Sequence, residues 1–140
     1  MISNDIVLRV RYGETDKMGF VYYGVYAQYF EVARTELIRK CGFAYDELEK
    51  AGVMLPVISL NVKYLKPCFY DDLLTIKAIL KELPGVRISF EYQITNQQGE
   101  LTTTGDTTLI FINANTKKPT KAPKEMIEGL QMNFTNKISQ

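Results

Sequence analysis

Two carboxylates, Glu14 and Asp16, share residues 12 to 24, YGETDKMGFVYYG, with a run bracketed by Gly19 and Gly24. A carboxylate can attack an acyl carbon or take a proton from water. Gly24 stands where a helical pattern begins. The first N–H groups of a helix lack internal acceptors, and the helix dipole adds partial positive charge there. A carbonyl oxygen gaining negative charge would be stabilised at such a mouth. Glu14 or Asp16, a few residues upstream, could fold back beside it, which suits acyl transfer. The same residues also suit a plain turn. Thr15-Asp16 is ordinary turn chemistry, and Tyr22, Tyr23 and Tyr26 are packing candidates as much as pocket walls.

The rest of the composition narrows the chemistry. No histidine occurs among the 140 residues. That removes Ser-His-Asp and Cys-His catalysis, His-based metal sites and His–carboxylate dehydration. Cys41 and Cys68 have no metal-like spacing and no evident partner base, so each reads as a small buried or half-buried hydrophobe. Lys and Arg number 17 against 16 Asp and Glu, a net charge of +1. This balance argues against nucleic-acid binding, which needs excess cations to neutralise phosphates. A few local basic residues would still serve a small anionic ligand. Nothing resembles a signal peptide, and no segment approaches the roughly 20 apolar residues of a membrane span. A cytoplasmic protein with reduced thiols is the expectation.

The elements that must position the acids read clearly. Residues 6 to 12 alternate, with Ile6, Leu8, Val10 and Tyr12 against Arg9 and Arg11, as in a half-buried strand. Residues 25 to 41 change to helical period: Tyr26, Tyr29, Phe30, Ala33, Leu37 and Cys41 share one side, and Gly42 is a stop signal. A short helix is predicted near 44 to 51. Then come strands: residues 57 to 65, with Ile58, Leu60, Val62 and Tyr64 on one face; residues 73 to 80; residues 86 to 94; and residues 101 to 112. Leu83-Pro84-Gly85 and Asn96 to Gly99 are turn signals between antiparallel neighbours. A lysine-bearing linker follows Asn113, then a short helix near 124 to 131 and a frayed end. The chain is thus one domain, residues 1 to 140, of class α+β, with a five-stranded antiparallel sheet against one long helix.

The stretch and its continuation, RYGETDKMGFVYYGVYAQYFEVARTELIRKCG, resemble the signature of hotdog-fold acyl-CoA thioesterases of the 4-hydroxybenzoyl-CoA thioesterase and YbgC-like type. Tyr12, Asp16, Gly19, Val21-Tyr22-Tyr23, Tyr26, Phe30-Glu31, Ala33-Arg34 and Glu36 fall on it in order. VKYLKPCFYDDLLTI, residues 62 to 76, resembles the strand, proline and acidic turn that follow in that family. The resemblance implies a sheet wrapped around the long helix, homodimers or homotetramers paired sheet edge to sheet edge, and active sites at the interface. It implies Asp16 as nucleophile or general base on an acyl-CoA thioester, with the backbone N–H of Tyr23, and of Gly24, holding the thioester oxygen. Tyr23 stands where many bacterial members carry His, so pH behaviour does not carry over from them. No metal or cofactor is implied, coenzyme A being part of the substrate.

Gly19, Phe20, Tyr22 and Tyr26 are the expected acyl-group contacts. Lys63, Lys66 and Arg87 are the candidate partners of the CoA phosphates, and each could equally be a solvated surface charge. Glu14 reads as a loop or interface charge, and Glu31 with Arg34 as a helix-surface or interface pair. Two rival readings stay open: hydrolysis of an acyl carrier protein thioester, and acyl-CoA binding without cleavage.

Overall fold

The computed structural model describes residues 1–138, with side chains described to Phe134. Residues 139 and 140, on which the expected frayed end falls, lie outside the described residues. In chain order the elements are β1 (Ile2–Arg9), a 3-10 turn (Tyr12–Glu14), α1 (Val25–Lys40), α2 (Tyr45–Lys50), β2 (Val53–Met54), β3 (Val57–Tyr64), β4 (Leu73–Leu80), β5 (Arg87–Thr95), β6 (Leu101–Ile110), β7 (Ile112–Asn113) and α3 (Lys124–Ile138). Five strands form one antiparallel sheet in the order β1-β4-β5-β6-β3, and β2 pairs with β7 in a separate ribbon.

The alternation in β4 and β5 decides which face is inner. Leu74, Ile76, Ala78 and Leu80 are buried, as are Ile88, Phe90, Tyr92 and Ile94. α1 lies against that face with Tyr26, Tyr29, Phe30, Ala33, Leu37 and Ile38 buried. Its seat depends on Gly105. Phe30 stacks on Tyr92 with ring centroids 4.1 Å apart, and Tyr92 is the register partner of Gly105. A Cβ at Gly105 would lie 2.6 Å from the Phe30 ring. Helix and sheet can approach there only because a side chain is missing. Gly42 ends α1 region with φ of +88°, as its stop signal predicts.

Three expectations change. The first strand runs from Ile2 to Arg9 rather than over residues 6 to 12, and the chain then turns, leaving Tyr12 77% exposed. The even-numbered inward parity holds through Val10 and fails at Tyr12, where the 3-10 turn breaks the period of two. Arg34 is not a surface residue: it is 6% exposed, beside the Tyr45 and Tyr92 hydroxyls, and no ion pair joins it to Glu31 among the described residues. Its position four residues after Phe30 puts it on the buried stripe of α1. The terminal helix runs to Ile138 and is longer than residues 124 to 131.

β3 has the parity expected of it but little cover. Val57, Ile58, Leu60 and Tyr64 are each between 44% and 50% exposed. Among the described residues the strand pairs with β6 on one side and with no strand on the other. It is therefore an apolar strand with a free hydrogen-bonding edge, a feature proteins seldom leave uncovered.

Candidate active site

The loop between β1 and α1 folds on itself before it reaches the helix. The Asp16 N–H donates to the Phe20 carbonyl at 2.8 Å, and the Gly19 N–H to the Asp16 carbonyl at 3.0 Å. Gly19 has φ of +84°, and no heavy atom lies within 4 Å of where its Cβ would be. Glycine is required there by the backbone and not by space. The loop is also pinned from below: the Val21 N–H donates to the Cys68 carbonyl at 2.8 Å, and Phe20 bridges to Phe69.

Asp16 is held at one oxygen and left free at the other. Its Oδ1 accepts from the Met18 N–H at 2.9 Å and from the Phe20 N–H at 3.2 Å. Among the described residues nothing donates to Oδ2. Turn chemistry and availability for reaction thus coexist in one side chain.

Glu14, two residues earlier, is in the opposite condition. Its Oε1 accepts from the Arg11 N–H at 2.8 Å and from the Tyr29 hydroxyl at 3.0 Å. Its Oε2 accepts from the Arg11 guanidinium at 2.9 Å. Partial burial works against the ionised carboxyl, but these hydrogen bonds together outweigh it and hold the Glu14 pKa below the ordinary carboxylate range. Burial pushes the Tyr29 phenol upward, and its bond to Glu14 pushes it further. Within this chain Glu14 is an internal anchor tying the loop to α1 and not a loose loop charge.

At the helix mouth Gly24 is the N-cap, with no side chain capping the first turn. The Val25 N–H donates to the Tyr22 carbonyl at 2.9 Å. The N–H groups of Tyr23 and Gly24 donate to no acceptor among the described residues. A Cβ on Gly24 would lie 2.8 Å from the Tyr22 ring, which leans on the Tyr23 ring at 4.6 Å.

Asp16, Phe20, Tyr23 and Tyr26 meet around a cavity of about 470 Å³, completed by Met18, Val21 and the segment Tyr64 to Pro67. Its walls are largely apolar rings. Tyr26 is 3% exposed and lies edge-on to Tyr64 at 5.1 Å. Burial raises the Tyr26 phenol pKa, with Cys68 beside it adding to the rise. Tyr22 lies outside this wall. Lys66 is on the rim and is ion-paired with Glu100. Lys63 and Arg87 are not brought to Asp16 within one chain. Both stand on the outer face of the sheet and line open hollows of about 580 and 610 Å³ that meet at Glu91 and Asp106. Arg87 begins β5, whereas the Asp16 cavity lies near the end of β3. Glu31 is exposed on α1, away from the cavity. Both cysteines are buried, and burial raises the Cys41 thiol pKa.

Tyr64, with Met18, Val21, Leu65 and Pro67, is a wall residue that sequence reasoning did not place in the site. The signal was present: it falls on the inner face by parity and directly precedes the Leu65-Lys66-Pro67 turn. Tyr29 was likewise read as core alone, since a partner fifteen residues away leaves no local pattern.

Residues 10–130 match the thioesterase-like superfamily. YneP of Bacillus subtilis is 37% identical over 112 residues, 80% of this chain and 81% of that protein. The acyl-CoA thioester hydrolase YbgC of Escherichia coli is 29% identical over 120 residues, 86% of this chain and 90% of that protein. The crystal structure of a DHNA-CoA thioesterase from Staphylococcus aureus superposes with a TM-score of 0.91 at 39% identity, covering 100% of this chain and 97% of that one. The five-stranded antiparallel sheet on one long helix is the hotdog fold.

Proposed function

The chain belongs to the thioesterase-like superfamily and is a thioester hydrolase, and from that premise we propose that it hydrolyses acyl-CoA at Asp16. One observation carries the reading. Asp16, whose Oδ2 has no donor among the described residues, shares a ring-walled cavity with Tyr23 and Tyr26, which flank the N-cap Gly24, and the Tyr23 and Gly24 N–H groups are unspent among those residues.

The thioester carbonyl would sit with its oxygen toward the Tyr23 and Gly24 N–H groups. Asp16 would act through Oδ2, either adding to the carbonyl carbon itself or taking a proton from a water that adds. In either route negative charge grows on the carbonyl oxygen and is met by the two N–H dipoles. The C–S bond then breaks and CoA departs as its thiolate, which takes its proton from Asp16 in the water route, leaving the acid, and from solvent in the direct route, leaving an anhydride. In the direct route water must afterwards cleave an anhydride with Asp16. The Met18 and Phe20 N–H bonds to Oδ1 keep the carboxylate from swinging away. No cofactor is needed beyond the CoA of the substrate.

Phe20, Tyr23, Tyr26 and Tyr64 suit a flat aromatic acyl group, and DHNA-CoA belongs on any substrate panel because the Staphylococcus aureus relative is a DHNA-CoA thioesterase. An acyl carrier protein would favour a basic rim. Lys66, the one cation among the described lining residues, is already paired with Glu100, which favours CoA. The free apolar edge of β3 suits antiparallel pairing with a second copy. Such pairing would set the far end of one sheet beside the Asp16 end of the other, the arrangement in which Arg87 could reach a CoA. We place the protein in the cytoplasm, where both thiols stay reduced.

The test is thiol release from a panel of aromatic and aliphatic acyl-CoAs, with Asp16→Asn alongside, and a solution mass. Cleavage by the native chain, loss in Asp16→Asn and a mass of two or four protomers are expected. An equally fast Asp16→Asn refutes the mechanism. Tight binding of acyl-CoA without turnover makes the protein a binder, and a one-protomer mass removes the paired edge.

A further inference from the structure

The geometry points to Tyr64 as a positioning residue for the oxyanion site, acting through the Tyr23–Gly24 peptide; the role rests on the Asp16 reading above. The Tyr64 hydroxyl donates to the Tyr23 carbonyl at 3.3 Å. That carbonyl and the Gly24 N–H belong to one peptide unit. The unit is planar and rigid, with oxygen and hydrogen on opposite sides, so fixing the oxygen aims the N–H. A donor on the oxygen also polarises the unit and makes its N–H a stronger donor.

Nothing in the helix does this instead. The N-cap is Gly24, whose carbonyl is the first intrahelical acceptor, so the Tyr23 carbonyl stands before the ladder. The Val25 N–H bond to the Tyr22 carbonyl closes a turn around this peptide but engages neither its carbonyl nor its N–H. Tyr64 is half exposed, but its ring is held on one side. It ends β3, pairs in register with the fully buried Thr103, and lies edge-on to buried Tyr26. The end of the edge strand therefore reaches across the cavity and holds the peptide whose N–H would meet the developing oxyanion.

Tyr64→Phe keeps the ring and its contact with Tyr26 and removes only the hydroxyl. One neutral hydrogen bond expressed in the transition state predicts a fall in kcat of about five- to tenfold. KM for the acyl-CoA and the thermal midpoint should stay near those of the native chain, as should every parameter of Tyr70→Phe, an exposed control. The Gly24 amide proton should move upfield in Tyr64→Phe while that of Gly42 stays in place, a readout independent of turnover. An unchanged kcat in Tyr64→Phe, where Asp16→Asn is inactive, overturns the Tyr64 role alone. A rise in KM with unchanged kcat does the same, making Tyr64 a wall of the acyl site. An Asp16→Asn variant at full rate overturns the reading beneath, and the Tyr64 role with it.

Discussion

Two carboxylates, two residues apart in the loop between β1 and α1, have opposite fates. Glu14 has four donor groups on its two oxygens and is largely hidden. Asp16 has both of its donors on one oxygen, none on the other among the described residues, and lines a cavity. The same chemical group is thus used for structure at one position and left available at the other. Saturation of hydrogen-bonding capacity separates them, not proximity to the helix mouth. A fully bonded carboxylate is a poor base and a worse nucleophile, because every lone pair it would use is already engaged.

Exchanging each acid for its amide breaks or sharpens this contrast most directly. Asp16→Asn should lower acyl-CoA hydrolysis by about a thousandfold or more, since the amide can neither attack nor take the proton. The amide oxygen can still accept from Met18 and Phe20, so the thermal midpoint should hardly move. Thiol release and calorimetry on the same preparation check both halves.

Glu14→Gln should do the reverse, with a stability loss of about 2 kcal/mol from weakened charge-assisted bonds and a modest loss of rate well below the melting temperature. Denaturant titration measures it. The acid dependence follows from the same bonds. The folded pKa of Glu14 is lowered, so its contribution is complete above the ordinary carboxylate value and is lost as pH falls through the lowered one. Below about pH 4 the native chain should therefore lose stability more steeply than Glu14→Gln. Parallel curves would show that Glu14 is not the anchor.

A smaller effect is expected at Gly19. Gly19→Ala meets no neighbour but must adopt a left-handed backbone, costing about 1–2 kcal/mol. Because Met18 and Phe20 flank it, the strain should also loosen the Asp16 cradle and lower kcat. Equal loss of stability with no change in kcat would separate the turn from the catalyst. The smallest change is Tyr29→Phe, which removes one donor from Glu14 and leaves the Arg11 bonds. About 1 kcal/mol of stability should go, with little change in rate. A loss as large as that of Glu14→Gln would mean that the tie to α1, not the Arg11 bonds, holds the loop.

How far these features could be read without coordinates depends on their range. β4 and the hairpin turns were legible because alternation and turn residues are local signals. The Asp16 motif was legible through its resemblance, and the helix mouth through unpaired N–H groups that any helix start possesses. Tyr12 was misread because a strand pattern does not reveal where the backbone stops being a strand. Arg34 was misread because charge suggests a surface, while its spacing from Phe30 buries it. Glu14 was undervalued because its partner Tyr29 lies on another element, and Tyr64 was overlooked as a wall for the same reason.

By itself the sequence determined the periods of its elements, the positions of its glycine turns and the absence of imidazole chemistry. These are properties of neighbours along the chain. Only the tertiary structure decided which carboxylate is spent and which is free, which lysine stands on the cavity rim, and that Tyr64 reaches the Tyr23 carbonyl. Each of those depends on which atoms meet across elements far apart in sequence. Hydrogen bonds act over about 3 Å, so a fold must first bring the partners together before any of these roles exists.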